Sequence, residues 1–258
     1  MLSDVMEDYL KAIYVIESES GPPVATSEIA ERVDKTAPTV TSMLETLEDR
    51  GMVTREKYKG TELTAEGRTV AIEVIRHHRL LETYLAEHLD YSWDEVHEEA
   101  DALEHHISEE FERRVAEVLD EPQADPHGDP IPSAELEPPT GGPTVPLSAC
   151  ESGDRIVVAR VSDRRDEDLA YLADAGITPG TTISVRDVAP FGMVTVGVGD
   201  DEQSLPESVA ASIHVTPADH ADEANADEVH AGEADSDEVH ADEANADEAD
   251  PDATGAGA

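Results

Sequence analysis

The stretch DKTAPTVTSMLETLEDRGMVTREKYKGTELTAEG, residues 34–67, decides the fold. Asp34 and Lys35 make a tight turn. Pro38 stands in the first turn of a helix, where its missing N–H leaves no bond unmade, and Gly51 closes that helix as its C′ residue. MVTREKYKGTELT then reads as a β-hairpin of two short strands around KYKG, and TAEG starts the next helix. Upstream, residues 3–19 form a helix whose apolar face is set by Val5, Met6, Tyr9, Ile13 and Ile16. GPP breaks it, and TSEIAERV follows as a second helix with Thr26 as N-cap. Helix, helix–turn–helix, then a basic hairpin is the order of a winged helix-turn-helix DNA-binding domain, here expected over residues 1–70.

The pattern changes three times after that. RTVAIEVIRHHRLLETYLAEHL and the segments that follow it keep apolar residues at helical spacing and show no strand signal, which suits a helical dimerisation domain over residues 71–135. A Pro- and Gly-rich connector is expected around residues 122–150, with residues 136–153 as the linker proper. From residue 154 to 217, short strands (RIVVARV, TTISVRDV, MVTVGVG, DEQSLP, ASIHVT) surround one short helix, the pattern of a small β-barrel. Residues 218–258 repeat with a ten-residue period, as in HADEANADEV and HAGEADSDEV. With almost no bulky apolar residue they cannot bury a core, so a disordered, solvated acidic tail carrying His220, His230 and His240 is expected.

Charge bears on partners. Asp and Glu number 61 against 17 Lys and Arg, a formal net charge of −44. Such an excess ordinarily argues against nucleic acid, because phosphate binding needs cations. Proteins of salt-rich cytoplasms are acidic throughout, however, and at about 1 M salt the Debye length is only about 3 Å. The placement of the basic residues is then more informative than their total. Ten of the 17 lie in residues 1–80, against 15 acids. A single cysteine, Cys150, excludes an internal disulfide framework and a cysteine-rich zinc site. No apolar run approaches the roughly 20 residues that span a bilayer, and the N-terminus carries acids early. A soluble, cytoplasmic protein with no membrane partner is expected.

VHEEADALEHHIS, residues 96–108, concentrates chemistry on one helix. At about 100° per residue, His97, Asp101, Glu104 and His105 fall within one arc of roughly 100°, while His106 points away. His78 and Glu82, four residues apart, share a face of the preceding helix. Two faces presenting N and O ligands to one another suit a divalent ion; on one isolated helix the same pattern also fits a solvated charged face.

The matches MEDYLKAIY, APTVT, GMVTREKYKGTELTAEGR, HRLLE, VHEEAD, EHHIS and PHGDPIP, in this order across residues 5–132, resemble the diphtheria toxin repressor family of metal-activated transcriptional regulators, including its manganese-responsive branch. The β-rich part after Arg155 resembles that family's SH3-like (FeoA-like) third domain. The resemblance implies a mainly α protein with a small β domain, a homodimer on double-stranded operator DNA, and two metal sites. Carried over by position, one site would use Asp8, Asp101, Glu104 and His105. An ancillary site would use His78, Glu82 and His97. The third domain's contribution falls on Arg165 and Asp168, of which Asp168 could ligate. The iron-responsive branch has Met and Cys where this chain has Asp8 and Asp101. Hard oxygen donors there favour Mn²⁺, with Fe²⁺ as the alternative. Lys11 stands where the manganese branch has a second acid.

For DNA, the expected contacts are Thr36, Pro38, Thr39, Thr41 and Ser42 at the start of the recognition helix, where small side chains allow close approach. Arg50, Arg55, Lys57 and Lys59 are the expected phosphate or minor-groove contacts. In the ion-free state the carboxylates of Asp8, Asp101 and Glu104 would repel, and a divalent cation would pin the first helix to the central bundle, setting the separation of two recognition helices in a dimer. An enzyme is not expected: HEEAD replaces the H-E-x-x-H metallohydrolase pattern, and no nucleophile elbow, P-loop or dinucleotide glycine pattern occurs. No small-molecule substrate is expected either. A metal-independent DNA-binding protein is the rival reading.

Overall fold

The computed structural model describes residues 2–56, 59–139, 141–163 and 165–218. Lys57 and nearly all of the acidic repeat tail lie outside the described residues. The N-terminal third contains α1 (Asp4–Ser20), α2 (Thr26–Arg32), α3 (Ala37–Asp49), β1 (Val53–Glu56) and β2 (Gly60–Leu63). Leu10, Ile13, Ile29, Val40, Leu44 and Leu47 form its core, and the first half of α4 (Ala65–His88) adds Ala71, Ile72 and Ile75. The side chain of Thr64 caps α4 by accepting from Gly67 N at 3.1 Å. Strands β1 and β2 pair antiparallel, Val53 opposite Leu63, as a wing beside α3.

One buried acid locks α1 into this head. Glu17, 6% exposed, accepts from Leu63 N at 2.8 Å and from Arg68 Nη2 at 2.5 Å. Helix α1 therefore shares a core with α3 and a buried polar clasp with the wing strand β2 and the first turn of α4.

Helix α4 runs through the expected domain junction at residue 70 and gives its C-terminal half to a second group of helices, α5 (Val96–Leu103) and α6 (Glu109–Val118). Leu81 and Leu85 pack on Val96 and Ala100, and Leu80 packs on Val115, Ala116 and Ile131. Ser108 caps α6 through Phe111 N.

Six antiparallel strands, β3 (Val145–Pro146), β4 (Arg155–Val161), β5 (Thr182–Val188), β6 (Val194–Val198), β7 (Asp201–Leu205) and β8 (Ile213–Pro217), form one sheet in the order β3-β8-β4-β5-β6-β7. Bulges after Val158 and Val185 bend it around a core that includes Leu169 and Leu172 of α7 (Asp166–Asp174) and Val209 and Ala210 of α8 (Glu207–Ala210). All five strands read from the sequence are present. The β domain begins earlier than residue 154: β3 pairs with β8, and Leu147 is fully buried in the core.

The segment read as a connector is partly a docking loop. Ala124 bridges to Pro130, His127 is fully buried, and Val161 N donates to His127 O at 2.9 Å. Gly128 has φ +87°, and a Cβ there would lie 2.2 Å from Ala159 O, so no side chain fits where this loop meets β4. Trp93, between α4 and α5, packs on the β-domain core and donates Nε1–H to Pro126 O at 2.9 Å. The loop thus joins the helices to the sheet.

Candidate metal centres and DNA-reading face

Three elements converge beside the head. Helix α1 presents Glu7, Asp8 and Lys11; α4 presents His78 and Glu82, one turn apart; the end of α5 and the turn after it present Asp101, Glu104 and His105. His105 Nε2 lies 2.8 Å from Asp8 Oδ1 and 3.3 Å from Glu104 Oε1. Its other nitrogen, Nδ1, lies 2.8 Å from Glu7 Oε2. A carboxylate on Nδ1 orients the ring so that Nε2 faces Asp8 and Glu104, the arrangement by which metal-ligating imidazoles are held. Burial alone would lower the His105 pKa; Glu7, Glu104 and Asp8 outweigh it and raise it. Burial raises the Asp8 carboxyl despite the imidazole beside it.

Next to this group Lys11 Nζ donates to Glu104 Oε2 at 2.7 Å and to Asp101 Oδ1 at 3.1 Å, and lies 3.1 Å from His78 Nδ1. His78 belongs to two clusters at once. Its Nδ1 is 2.6 Å from Glu104, and its Nε2 is 3.0 Å from Glu82 Oε1 and 3.1 Å from His97 Nδ1.

Glu82 is the hub of the deeper group. Its Oε1 also lies 3.2 Å from His97 Nδ1 and 3.6 Å from His127 Nδ1. Asp163, just beyond β4, approaches His97 Nδ1 at 3.4 Å. Asp125 faces the same hub and accepts from the backbone N–H of His127 and Asp129, both at 2.9 Å. Burial alone would raise Glu82 and lower His127. The surrounding imidazoles hold Glu82 well below the usual carboxylate range, and Glu82 and Asp125 push His127 up to about 9. Burial and the charges of Glu82 and Asp129 push Asp125 well above its ordinary value.

The donor chemistry fits a divalent cation. Among the described residues, four sets of carboxylate oxygens and imidazole nitrogens have their ligand atoms within 4.8 Å of one another: Asp8, Glu104 and His105; His78, Asp101 and Glu104; His78, Glu82, His97 and Asp163; and Glu82, Asp125 and His127. Glu82 Oε2 and His127 Nδ1 are buried and make no hydrogen bond. No thiol takes part: Cys150 stands at the entrance to the β domain, 3.9 Å from Pro146 O.

The expected site residues are placed as follows. Asp8, Glu104 and His105 come together, with Asp101 one step away across Lys11 and His78. His78, Glu82 and His97 come together as the ancillary group. Asp168 does not join it: it lies in the first turn of α7 and pairs with Arg165 at 2.6 Å. The third-domain acid that approaches His97 is Asp163, because β4 docks on the 127–129 loop and brings the residues beyond its end there. Thr36, Pro38, Thr39 and Ser42 are exposed around the N-terminus of α3, and Thr41 is half-buried, its hydroxyl donating to Ala37 O. Arg55 and Lys59 lie on the wing, where Arg55 faces Glu45 and Glu48 at 3.9 and 3.8 Å and Lys59 pairs with Glu56 at 2.5 Å. Arg50 sits at the other end of α3, in a groove with Glu7 and Glu73.

Glu7, Lys11, Asp125, His127 and Asp163 escaped the sequence reading as site residues. The clearest available signal was DPHGD, residues 125–129, where acids and an imidazole crowd a glycine turn.

Fold and clusters together outline a winged helix-turn-helix head joined to its body through imidazoles and carboxylates able to hold a cation. Comparison with known proteins agrees. Residues 1–61 match the family described as iron dependent repressor, N-terminal DNA binding domain; residues 64–133 match its metal binding and dimerisation domain; residues 145–217 match the FeoA domain. The iron-dependent repressor IdeR of Mycobacterium tuberculosis is 35% identical over 225 residues, covering 83% of this chain and 97% of that protein. The diphtheria toxin repressor of Corynebacterium efficiens is 34% identical, covering 84% and 97%. A solved manganese-dependent transcriptional repressor in complex with manganese is 36% identical, with a TM-score of 0.76 over 82% of this chain and 99% of that one. The chain belongs to the diphtheria toxin repressor family of metal-dependent transcriptional repressors.

Proposed function

We propose that this chain is a manganese-activated repressor of metal-ion homeostasis genes, working in the cytoplasm as a homodimer on dyad-symmetric operator DNA and turning over no substrate. The single observation that carries the reading is the cluster of Asp8, Glu104 and His105, which joins a helix of the reading head to the metal-binding body. Asp8, Glu104 and His105 would hold the effector ion, whose positive charge offsets carboxylates that otherwise repel. Asp101 stands beside them. His78, Glu82, His97 and Asp163 would hold a second ion, and Asp125 and His127 extend the donor set around Glu82. Glu17 couples α1 to the wing and the shared apolar core couples it to α3, so the position of Asp8 would bear on the position of α3. A two-fold dimer converts that position into the separation of two recognition helices along the major groove. Thr36, Pro38, Thr39, Thr41 and Ser42 then face base edges and phosphates, with Arg55 and Lys59 on the flanking backbone.

Association into dimers is supported by α6, which leaves Phe111 44% and Val118 57% exposed at positions seven apart, on one face of the helix. Among the described residues no helix is long and apolar enough to cross a membrane. The preference for Mn²⁺ rests on Asp8 and Glu104, hard donors in a site without sulfur. Fe²⁺ is the second reading, favoured by the iron-dependent names of the sequence relatives.

In vitro selection from randomised duplexes in the presence of Mn²⁺, followed by fluorescence anisotropy of the selected duplex at about 1 M KCl, tests the proposal. The expected result is an affinity about 5–150-fold higher with Mn²⁺ than with chelator, a coupling of about 1–3 kcal/mol. Equal affinity in chelator refutes it and leaves a constitutive DNA-binding protein. Asp8→Cys, which changes a donor of the ion itself, is expected to raise the response to Fe²⁺ and Zn²⁺ relative to Mn²⁺, and an unchanged ranking refutes the assignment of the metal.

A further inference from the structure

We propose that Lys11 is a resident cation of the sensing centre: its ammonium fills the position among His78, Asp101 and Glu104, so the centre takes one divalent ion, at Asp8, Glu104 and His105, and not a pair. The inference rests on the metal-sensing reading above and adds to it the number of ions and the identity of the second charge.

The geometry is specific. His78 Nδ1, Asp101 Oδ1 and Glu104 Oε2 form a donor set of the kind that holds a metal, with its atoms mutually within 4.8 Å. Lys11 Nζ lies 3.1, 3.1 and 2.7 Å from those same three atoms. A divalent ion bound by nitrogen and oxygen sits about 2.0–2.6 Å from its ligands, so one placed among these three would overlap the ammonium. The two cations exclude one another.

Charge bears on the same count. Asp8, Asp101 and Glu104, with Glu7 behind them on His105, carry four formal negative charges, and Lys11 with one divalent ion carries three positive charges. A second divalent ion beside Lys11 would leave an excess of positive charge where Asp101 and Glu104 already serve the ammonium, and Glu104, 1% exposed, has no water to share the load.

The arrangement also alters the ion-free state. Lys11 belongs to α1, Asp101 and Glu104 belong to the end of α5, and His78 belongs to α4. The ammonium already ties the reading head to the body before any divalent ion arrives. It offsets part of the carboxylate repulsion that would otherwise drive α1 away. The centre then answers to a single ion, without cooperativity arising inside it.

Electron paramagnetic resonance and elemental analysis of manganese-loaded protein test this. Glu82→Gln serves as the background, because it removes the carboxylate shared by the other two donor sets. With Lys11 in place, one manganese with an isolated six-line spectrum is expected at the sensing centre. Lys11→Glu in that background is expected to hold one more manganese per chain. Its spectrum should show exchange broadening, because paired metals lie about 3.5–4 Å apart. An exchange-coupled pair with Lys11 present overturns the proposal, as does a Lys11→Glu protein, folded by circular dichroism, that holds no additional ion. If neither protein takes up manganese, the metal-sensing reading itself fails. An anomalous difference map of the unmodified protein crystallised with manganese decides the point without variants: a peak among His78, Asp101 and Glu104 overturns the proposal, and an ammonium there beside a single peak at Asp8, Glu104 and His105 supports it.

Discussion

The two groups of imidazoles and carboxylates flanking His78 are made of the same residue types and are built for different tasks. Around Asp8 the chain is half in water: the Asp8 side chain is 51% exposed and reaches His105 from a different helix of a different core. Around Glu82 water is excluded. The side chain of Glu82 is fully buried, that of His127 is 1% exposed and that of Asp125 is 4% exposed. A half-exposed carboxylate such as Asp8 can leave its imidazole at small cost, because water replaces the partner. Charges inside cannot, since each depends on the others for solvation. The first group is suited to a switch. The second is suited to a joint between the helices and the sheet.

The largest test of that contrast is Glu82→Ala. It leaves His78, His97 and His127 facing one another without their shared counter-charge. Breaking a buried charged group by removing one member costs about 3–5 kcal/mol. Urea unfolding in chelator is expected to show a loss of that size. A loss below about 1 kcal/mol would mean that the deep group bears no structural load, and the contrast would fail.

The pH dependence of the ion-free protein comes next in size. His127 is raised from an ordinary 6.5 to about 9 in the folded chain, so folding favours its protonated form. The stability this confers is fully present below about pH 6.5 and is lost as pH rises through about 9, an effect on the order of a few kcal/mol. Thermal unfolding in chelator between pH 7 and 10 is expected to show a falling midpoint. Manganese reverses the sign over that range, because ligating imidazoles must be neutral and proton release then favours binding. Parallel pH curves with and without Mn²⁺ would contradict this.

Much of this architecture is legible in the sequence, and the illegible part has a physical reason. Pro38 and Gly51 mark both ends of α3, and Thr64 and Ser108 cap helices through their own hydroxyls, because caps and turns are local interactions. The face shared by Glu104 and His105 is likewise set by helical period. What a periodicity cannot give is the neighbour across the gap. His78 was readable as a partner of Glu82 one turn on. Its second role, with Nδ1 at 2.6 Å from Glu104, depends on how α4 and α5 pack. Asp125 and His127 sit in a Pro- and Gly-rich segment whose composition announces only the absence of helix and strand. Its burial comes from the docking of β4, a long-range event. Lys11 was visible as a departure from the manganese-branch pattern, yet its bond to Glu104 spans 93 residues of sequence.

Asp8→Ala sharpens the contrast from the other side. Folding stability in chelator is expected to change by less than about 1 kcal/mol, as for other half-exposed ion pairs. Metal-dependent DNA affinity is expected to fall to its chelated level, a loss of about 1–3 kcal/mol of coupling. Anisotropy titration against Mn²⁺ separates the two quantities. A retained metal response would place the switch elsewhere.

The smallest expected effect discriminates most finely, because it concerns two acids five residues apart. Asp163 is 28% exposed at its side chain and has His97 as its imidazole partner at 3.4 Å. Asp168 is occupied by Arg165 at 2.6 Å. Asp163→Asn removes a charge from the ancillary donor set without emptying its space, so folding in chelator is expected to stay within about 0.5 kcal/mol. The Mn²⁺ concentration needed for half-maximal thermal stabilisation is expected to rise, by roughly tenfold if Asp163 acts as a ligand. Asp168→Asn is expected to alter neither quantity, since its carboxylate is held by the guanidinium on the first turn of α7. The opposite ranking would mean that α7, rather than the end of β4, carries the acid that the sheet contributes, and that the sheet rotates on the 125–129 loop when an ion is bound. Equal and null effects would confine the ancillary donors to the helices and the docking loop, leaving the β domain as a support for His127 alone.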